Sequence, residues 1–114
     1  MNRRYCLTLD LKDDLQLIAE YKKYHERIWP EITQSITQAG IEDLEIYLLG
    51  TRMFMIMEVN DRFSFEAKRA ADRKNPKVQE WEQLMWKYQQ PLEGAAEGEK
   101  WMLMNKIFDL NDKK

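Results

Sequence analysis

Asp43-Leu44-Glu45-Ile46-Tyr47-Leu48-Leu49, then Gly50-Thr51, then Arg52-Met53-Phe54-Met55-Ile56-Met57-Glu58-Val59, is the stretch that decides the fold. Two strand-like runs joined by a short glycine-containing turn predict an antiparallel hairpin. The second run is almost wholly apolar, so it is expected to be a central strand covered on both faces. Upstream, Arg4-Tyr5-Cys6-Leu7-Thr8-Leu9-Asp10 is rich in strand formers and ends at a polar turn. Asp13 or Asp14 is placed to cap the helix that follows. Its apolar positions run Leu15, Ile18, Tyr21, Tyr24 or His25, Ile28 and Trp29, the three-and-four spacing of one helical face. Pro30 lacks an amide donor and disfavours helical geometry at Trp29, so the helix ends or kinks there. It resumes through Glu31-Ile32, with Ile32, Ile36 and Ala39 on one face, and stops at Gly40.

Downstream, Phe63 to Ala71 reads as a helix with Asp61 as its cap. Asn75-Pro76 breaks it and starts another, with Val78, Trp81, Leu84, Met85 and Tyr88 along one face. Gln89 to Gly98 is a loop, Trp101 to Leu110 the last strand, and Asn111 to Lys114 a polar tail. The order β-α-β-β-α-β is the split βαβ, ferredoxin-like arrangement. It predicts an α+β fold with a four-stranded antiparallel sheet, order 4-1-3-2, and helices on one face. Met53, Met55, Met57, Met102 and Met104 are expected on the other face, too much apolar surface to leave in water. A second copy of the chain would cover it, giving a homodimer of the α/β-barrel type. With no internal repeat, low-complexity tract or linker, residues 1–114 read as one domain.

Composition narrows the chemistry. Eighteen Lys+Arg against 20 Asp+Glu give a net charge of −2, which offers no footprint for a nucleic-acid backbone. No apolar run approaches the roughly 20 residues of a membrane span. The start, Met1-Asn2-Arg3-Arg4-Tyr5, lacks the apolar stretch of a signal peptide, so a cytoplasmic protein is expected. Cys6 is the single cysteine and cannot form an internal disulfide, which suits a reducing compartment. One cysteine and one histidine fall short of the usual zinc ligand set, so no metal is expected. For proton transfer near neutral pH, His25 is the first candidate.

Tyr21, His25 and Trp29 are spaced i, i+4, i+8, placing a phenol, an imidazole and an indole in line. Tyr and Trp offer flat apolar surfaces with polar tips, suited to the C–H faces of a sugar ring. The same spacing also fits a plain core face whose polar tips find local partners, the commoner use of such residues. Trp81 and Trp86 admit the same two readings, as does Tyr47 on the hairpin.

Tyr21-x-x-x-His25-x-x-x-Trp29-Pro30-Glu31 resembles the hallmark of the L-rhamnose mutarotase family. The resemblance continues through Gly40, Ile46-Tyr47, Phe54 to Glu58, the Trp81 helix and Lys106-Ile107-Phe108, nearly the whole chain. It implies a small dimeric α+β protein that interconverts the anomers of L-rhamnose without a cofactor. It also implies that His25 matches the family's proton donor and Tyr21 its sugar-binding tyrosine. Tyr47, Trp81 and Glu82 fall at or beside further substrate contacts. The sequence departs from the pattern at Glu82, where the family has a second tryptophan, and at Leu44, where it has a tyrosine. Both changes fall where sugar hydroxyls would be read.

Mutarotation opens a cyclic hemiacetal and recloses it on the other carbonyl face, with one group taking a proton while another delivers one. On this reading His25 acts at the ring oxygen, Tyr21 orients the sugar or assists the opposite proton, and Trp29 and Trp81 form apolar walls. Glu31 braces the bent helix. Two other classes fit the same outline: a dimeric ferredoxin-like oxygenase, by fold analogy alone, and a non-enzymatic sugar sensor.

Overall fold

The computed structural model describes residues 2–113, so Met1 and Lys114, the ends of the expected 1–114 domain, lie outside the described residues. The hairpin forms as read: β2 (Ile41–Leu49) and β3 (Arg52–Val59) run antiparallel from Leu49↔Arg52 to Ile41↔Val59. Gly50 supplies the positive φ of 61° that the two-residue turn requires. A register shift between Ile41 and Asp43 marks a bulge near the far end. β1 (Arg3–Leu11) pairs antiparallel with the other edge of β3, which makes β3 central. Two short strands share the far edge of β1: β4 (Gln89–Gln90) and β5 (Met102–Leu103). β2-β3-β1 with β5 beside β1 is the expected order; β4, from a stretch expected to be loop, adds a fifth short strand on that edge. The sheet of one chain is open rather than a closed barrel.

The last strand is much shorter than the expected Trp101 to Leu110. Beyond β5 only the Met104 amide continues the ladder, donating to the Cys6 carbonyl at 2.8 Å. Asn105 and Lys106 are poor strand formers, and the chain leaves the edge there. Leu110–Lys113 is a single 3₁₀ turn rather than strand end and tail.

Four helices cover one face: α1 (Leu15–Glu26), α2 (Pro30–Gln38), α3 (Phe65–Arg73) and α4 (Pro76–Trp86). The Asp14 carboxylate accepts from the Gln16 and Leu17 amides, both at 3.0 Å, and so fixes the start of α1. Asn75 does the same for α4, with Pro76 in the first helical position. For α3 the cap is Ser64, whose hydroxyl accepts from the Ala67 amide at 3.0 Å, and not Asp61. α1 stops at Glu26 and Trp29 is extended (φ −60°, ψ 137°), the geometry forced on a residue before proline. Trp29 therefore leaves the Tyr21–His25 helix and sits at the N-cap of α2.

The core has two clusters. One joins Leu9 and Met53 to Tyr21, Ile32, Trp81 and Met85; the other joins Leu7, Ile41, Met57, Val59 and Phe63. Met53 and Met57 are buried beneath the helices and Met55 packs beside them, so these three lie on the covered face, contrary to expectation. The pairings Leu9↔Met53 and Leu7↔Met55 fix this, because partners in register share a face. The uncovered face instead carries Cys6, Thr8, Tyr47, Phe54 and Ile56.

Gly40 joins α2 to β2 at φ +97°, and its carbonyl accepts from the Asn60 amide at 2.9 Å. A Cβ there would lie 2.6 Å from the Asn60 side-chain oxygen and 3.1 Å from the Phe63 nitrogen. Gly40→Ala is expected to cost about 1–3 kcal/mol, the usual range for a non-glycine residue held in a disfavoured backbone region. Urea unfolding at an unchanged slope should show it; an unshifted midpoint would mean that the turn relaxes without cost.

Candidate active site

A cleft of about 600 Å³ runs along the seam between the two core clusters, bounded by the helices and the covered face of the sheet. Tyr21 and His25 enter it from α1, Trp81 and Glu82 from α4, and Gln89 and Lys100 from the segments after α4. Leu44, Ile46 and Met55 form an apolar floor.

His25 follows Tyr21 by one helical turn, and its Nδ1 lies 2.8 Å from the Tyr21 carbonyl oxygen. A carbonyl can only accept, so Nδ1 carries the hydrogen and the neutral ring keeps its lone pair on Nε2. Burial pushes the imidazole below its ordinary value of 6.5, and the bond to Tyr21 pulls it partly back. His25 is thus a neutral base at pH 7. The Tyr21 ring lies 4.3 Å from the imidazole, centroid to centroid. The Tyr21 hydroxyl accepts from Gln89 Nε2 at 3.2 Å. Burial raises this phenol to about 12; the Gln89 bond opposes the rise and the Glu82 charge adds to it. It stays protonated and can donate.

Trp81 and His25 pack edge to face, with ring centroids 5.6 Å apart. Trp29 packs against Trp81 at 5.1 Å, with the Lys77 ammonium 5.7 Å over its ring. It does not line the cleft, so Trp29 supports a wall rather than forming one. Glu82 does line it, with Oε2 accepting from Lys100 Nζ at 2.9 Å. Lys100 also donates to the Glu82 backbone oxygen at 2.7 Å and stands 4.7 Å over the Trp86 ring. Burial lowers the Lys100 ammonium, while Glu82 acts in the opposite direction.

Tyr47 stands apart from the other sequence-derived candidates. It is 55% exposed on the uncovered face, while Leu44 and Ile46 of the same strand point into the cleft. Strand alternation separates them, and within one chain Tyr47 cannot share a cavity with His25. Gln89, placed in the loop to Gly98, and Lys100, just before the last expected strand, are not among those sequence-derived candidates. Gln89 is buried, yet its Oε1 has no partner among the described residues. A glutamine directly after the helix face that ends in Tyr88 was the available signal.

A base with a fixed tautomer, a protonated phenol, aromatic faces and a paired carboxylate and ammonium form an acid/base site for a small polyhydroxylated molecule. The class is that of a carbohydrate isomerase. The family model for L-rhamnose mutarotase matches residues 4–110, and the chain belongs to that family, whose members interconvert sugar anomers. An L-fucose mutarotase of Xanthomonas campestris pv. campestris is 45% identical over 112 residues, covering 96% of this chain and 90% of that one. An L-rhamnose mutarotase of Mesorhizobium japonicum is 40% identical over 48 residues, 42% of this chain and 44% of its own. The crystal structure of an L-rhamnose mutarotase from Formosa agariphila superposes with a TM-score of 0.67. It covers 94% of this chain and 97% of that one at 17% identity, which supports the fold.

The depressed imidazole sets a stability trend. The folded chain binds fewer protons than the unfolded one between the lowered folded value and 6.5. His25's contribution to stability is therefore whole above 6.5 and is lost as pH falls through that window. Because His25 is the only histidine, its ring-proton NMR titration is unambiguous and should give a midpoint below 6.5. A midpoint at or above 6.5 would contradict a desolvated neutral ring.

Proposed function

We propose that His25 is the acid/base group of this anomerase and that its substrate is L-rhamnose or a related 6-deoxy aldose. The observation that carries this reading is the imidazole itself, tied at Nδ1 with Nε2 left to the cleft. Because the ring is neutral, His25 begins as a base, and it acts as the proton donor in the return step. Nε2 takes the anomeric hydroxyl proton as the C1–O5 bond breaks. The electron pair leaves on O5, which takes the Tyr21 phenolic proton. The aldehyde turns about C1–C2 and the ring recloses on its other face: phenolate retrieves the O5 proton while imidazolium returns one to the new anomeric oxygen. Trp81 and Glu82 contact the sugar and Trp29 holds Trp81 in place.

Leu44 gives the floor an apolar contact where the family has a tyrosine, so discrimination at that edge is weakened. L-rhamnose and L-fucose are both expected to be accepted, ahead of D-glucose. Saturation-transfer NMR on the anomeric protons tests catalysis directly. His25→Asn keeps the ring's approximate shape but removes the titrating nitrogen. It should fold, still bind sugar, and lose about two to four decades of exchange rate, the usual worth of a general acid/base. Exchange as fast as wild type would remove His25 from the chemistry, and wild-type binding without exchange would make the protein a sensor.

The chain is read as one domain that works in the cytoplasm as a homodimer. The basis for the dimer shifts from the methionines of β3 to the apolar surface that is in fact bare. The uncovered face presents Tyr47, Phe54, Ile56 and Cys6, and the segment after β5 holds Ile107 at 97% and Phe108 at 64% exposure. A second copy seated on this face would bury both. Sedimentation at micromolar concentration should give a dimer; a stable monomer would refute this assembly.

A further inference from the structure

Glu82 and Lys100 are eighteen residues apart, yet both side chains line the cleft in contact with each other. The Lys100 side chain is 11% exposed. Its ammonium has three hydrogens, of which two go to Glu82, one to Oε2 at 2.9 Å and one to the backbone oxygen at 2.7 Å. The Glu82 carboxylate keeps a second oxygen, and Glu82 directly follows Trp81, whose ring stands 5.6 Å from the His25 imidazole in the same cleft. We propose that this ion pair is the element that reads two neighbouring hydroxyls of the sugar, Glu82 accepting from one and Lys100 donating to the other. This rests on the reading of the cleft as an aldose site.

Adjacent oxygens on a pyranose stand about one hydrogen-bond length apart, and an ammonium held 2.9 Å from a carboxylate keeps a donor and an acceptor close enough to meet two neighbouring hydroxyls. A carboxylate beside an ammonium offers a strong acceptor next to a strong donor, the complement of a vicinal diol, in which each hydroxyl can do either. A purely structural role would stop at pinning the loop before Trp101 to α4, a task the bond to the Glu82 backbone oxygen already performs. The side-chain carboxylate, this chain's departure from the family pattern, neutralises the largely buried ammonium through Oε2 and still has its second oxygen to offer.

The experiment measures anomeric exchange by NMR for wild type, Glu82→Gln and Lys100→Met. The sugars are L-rhamnose and its derivatives lacking O2, O3 or O4 singly, each rate divided by that sugar's uncatalysed rate. Wild type should lose about 10–100-fold on two adjacent deoxy positions, the usual worth of a hydrogen bond to a charged group. Each variant should lose as much on intact L-rhamnose, yet lose no more when the hydroxyl it would have read is missing. The proposal is overturned if a folded variant exchanges L-rhamnose like wild type, or if variant and deoxy losses multiply. Should Lys100→Met fail to fold, the isosteric Glu82→Gln decides alone, since it leaves the backbone contact intact. A wild type that accelerates no aldose defeats the anomerase reading itself, an outcome distinct from an active wild type with unaltered variants.

Discussion

Pro30 cannot donate an amide hydrogen, and it forbids helical geometry to Trp29. A single straight helix from Leu15 to Gln38 is thereby excluded, and the chain divides into α1 and α2. The cleft follows this bend. Tyr21 and His25 come from the last turns of α1, Ile28 from the break, and Ile32, Ser35 and Ile36 from α2. A continuous amphipathic helix would press one apolar stripe evenly onto the sheet. The broken one leaves two core clusters and a gap between them, and the imidazole sits beside that gap.

The electrostatics follow from the same placement. Removing His25 and Tyr21 from water stabilises the neutral form of each, which lowers the imidazole and raises the phenol to about 12. Two groups one helical turn apart thus have proton affinities driven in opposite directions, the neutral imidazole ready to accept and the phenol ready to donate. The Tyr21 carbonyl adds the final constraint by fixing the hydrogen on Nδ1. Backbone, burial and tautomer act together, and no charged partner of His25 is needed to prepare it.

The parts of this arrangement that were legible in the sequence are those with local causes. Gly50-Thr51 marks the hairpin turn, Asp14 and Asn75 the helix starts, Pro30 the break, and i, i+4 spacing the Tyr21–His25 pair. What was not legible depends on which face of an element meets which neighbour. In β3, Met53 to Met57 is apolar on both sides, so alternation carries no information about the covered face; pairing with β1 decides it. In β2 the alternation was informative: Leu44, Ile46 and Leu48 alternate with Glu45, Tyr47 and Leu49, and this parity places Tyr47 with the outward residues. The family resemblance outweighed that local signal. Trp29 would align with His25 only on a helix unbroken to Pro30, and α1 ends at Glu26. Gln89 and Lys100 reach the cleft through tertiary contacts between distant segments, for which one sequence offers no periodicity.

Stability and function draw on this core unequally. Leu9, Met53 and Val59 are almost wholly removed from water, each burial worth about 1.5–3 kcal/mol. Polar groups of the inner region line the same cleft as His25: the Lys100–Glu82 pair, and Tyr21 with its partner Gln89. Gln89 Oε1 has no protein partner among the described residues, and a buried amide oxygen that also lacked water or ligand would cost about 1–3 kcal/mol. An apolar residue at position 89 would avoid that cost, but the Tyr21 hydroxyl would then lose its donor. The sheet and its apolar floor supply the stability that lets the cleft hold one amide oxygen without a protein partner among the described residues. Gln89 Oε1, beside the Tyr21 hydroxyl and so next to the ring that packs on His25, is an open acceptor for a ligand rich in hydroxyls.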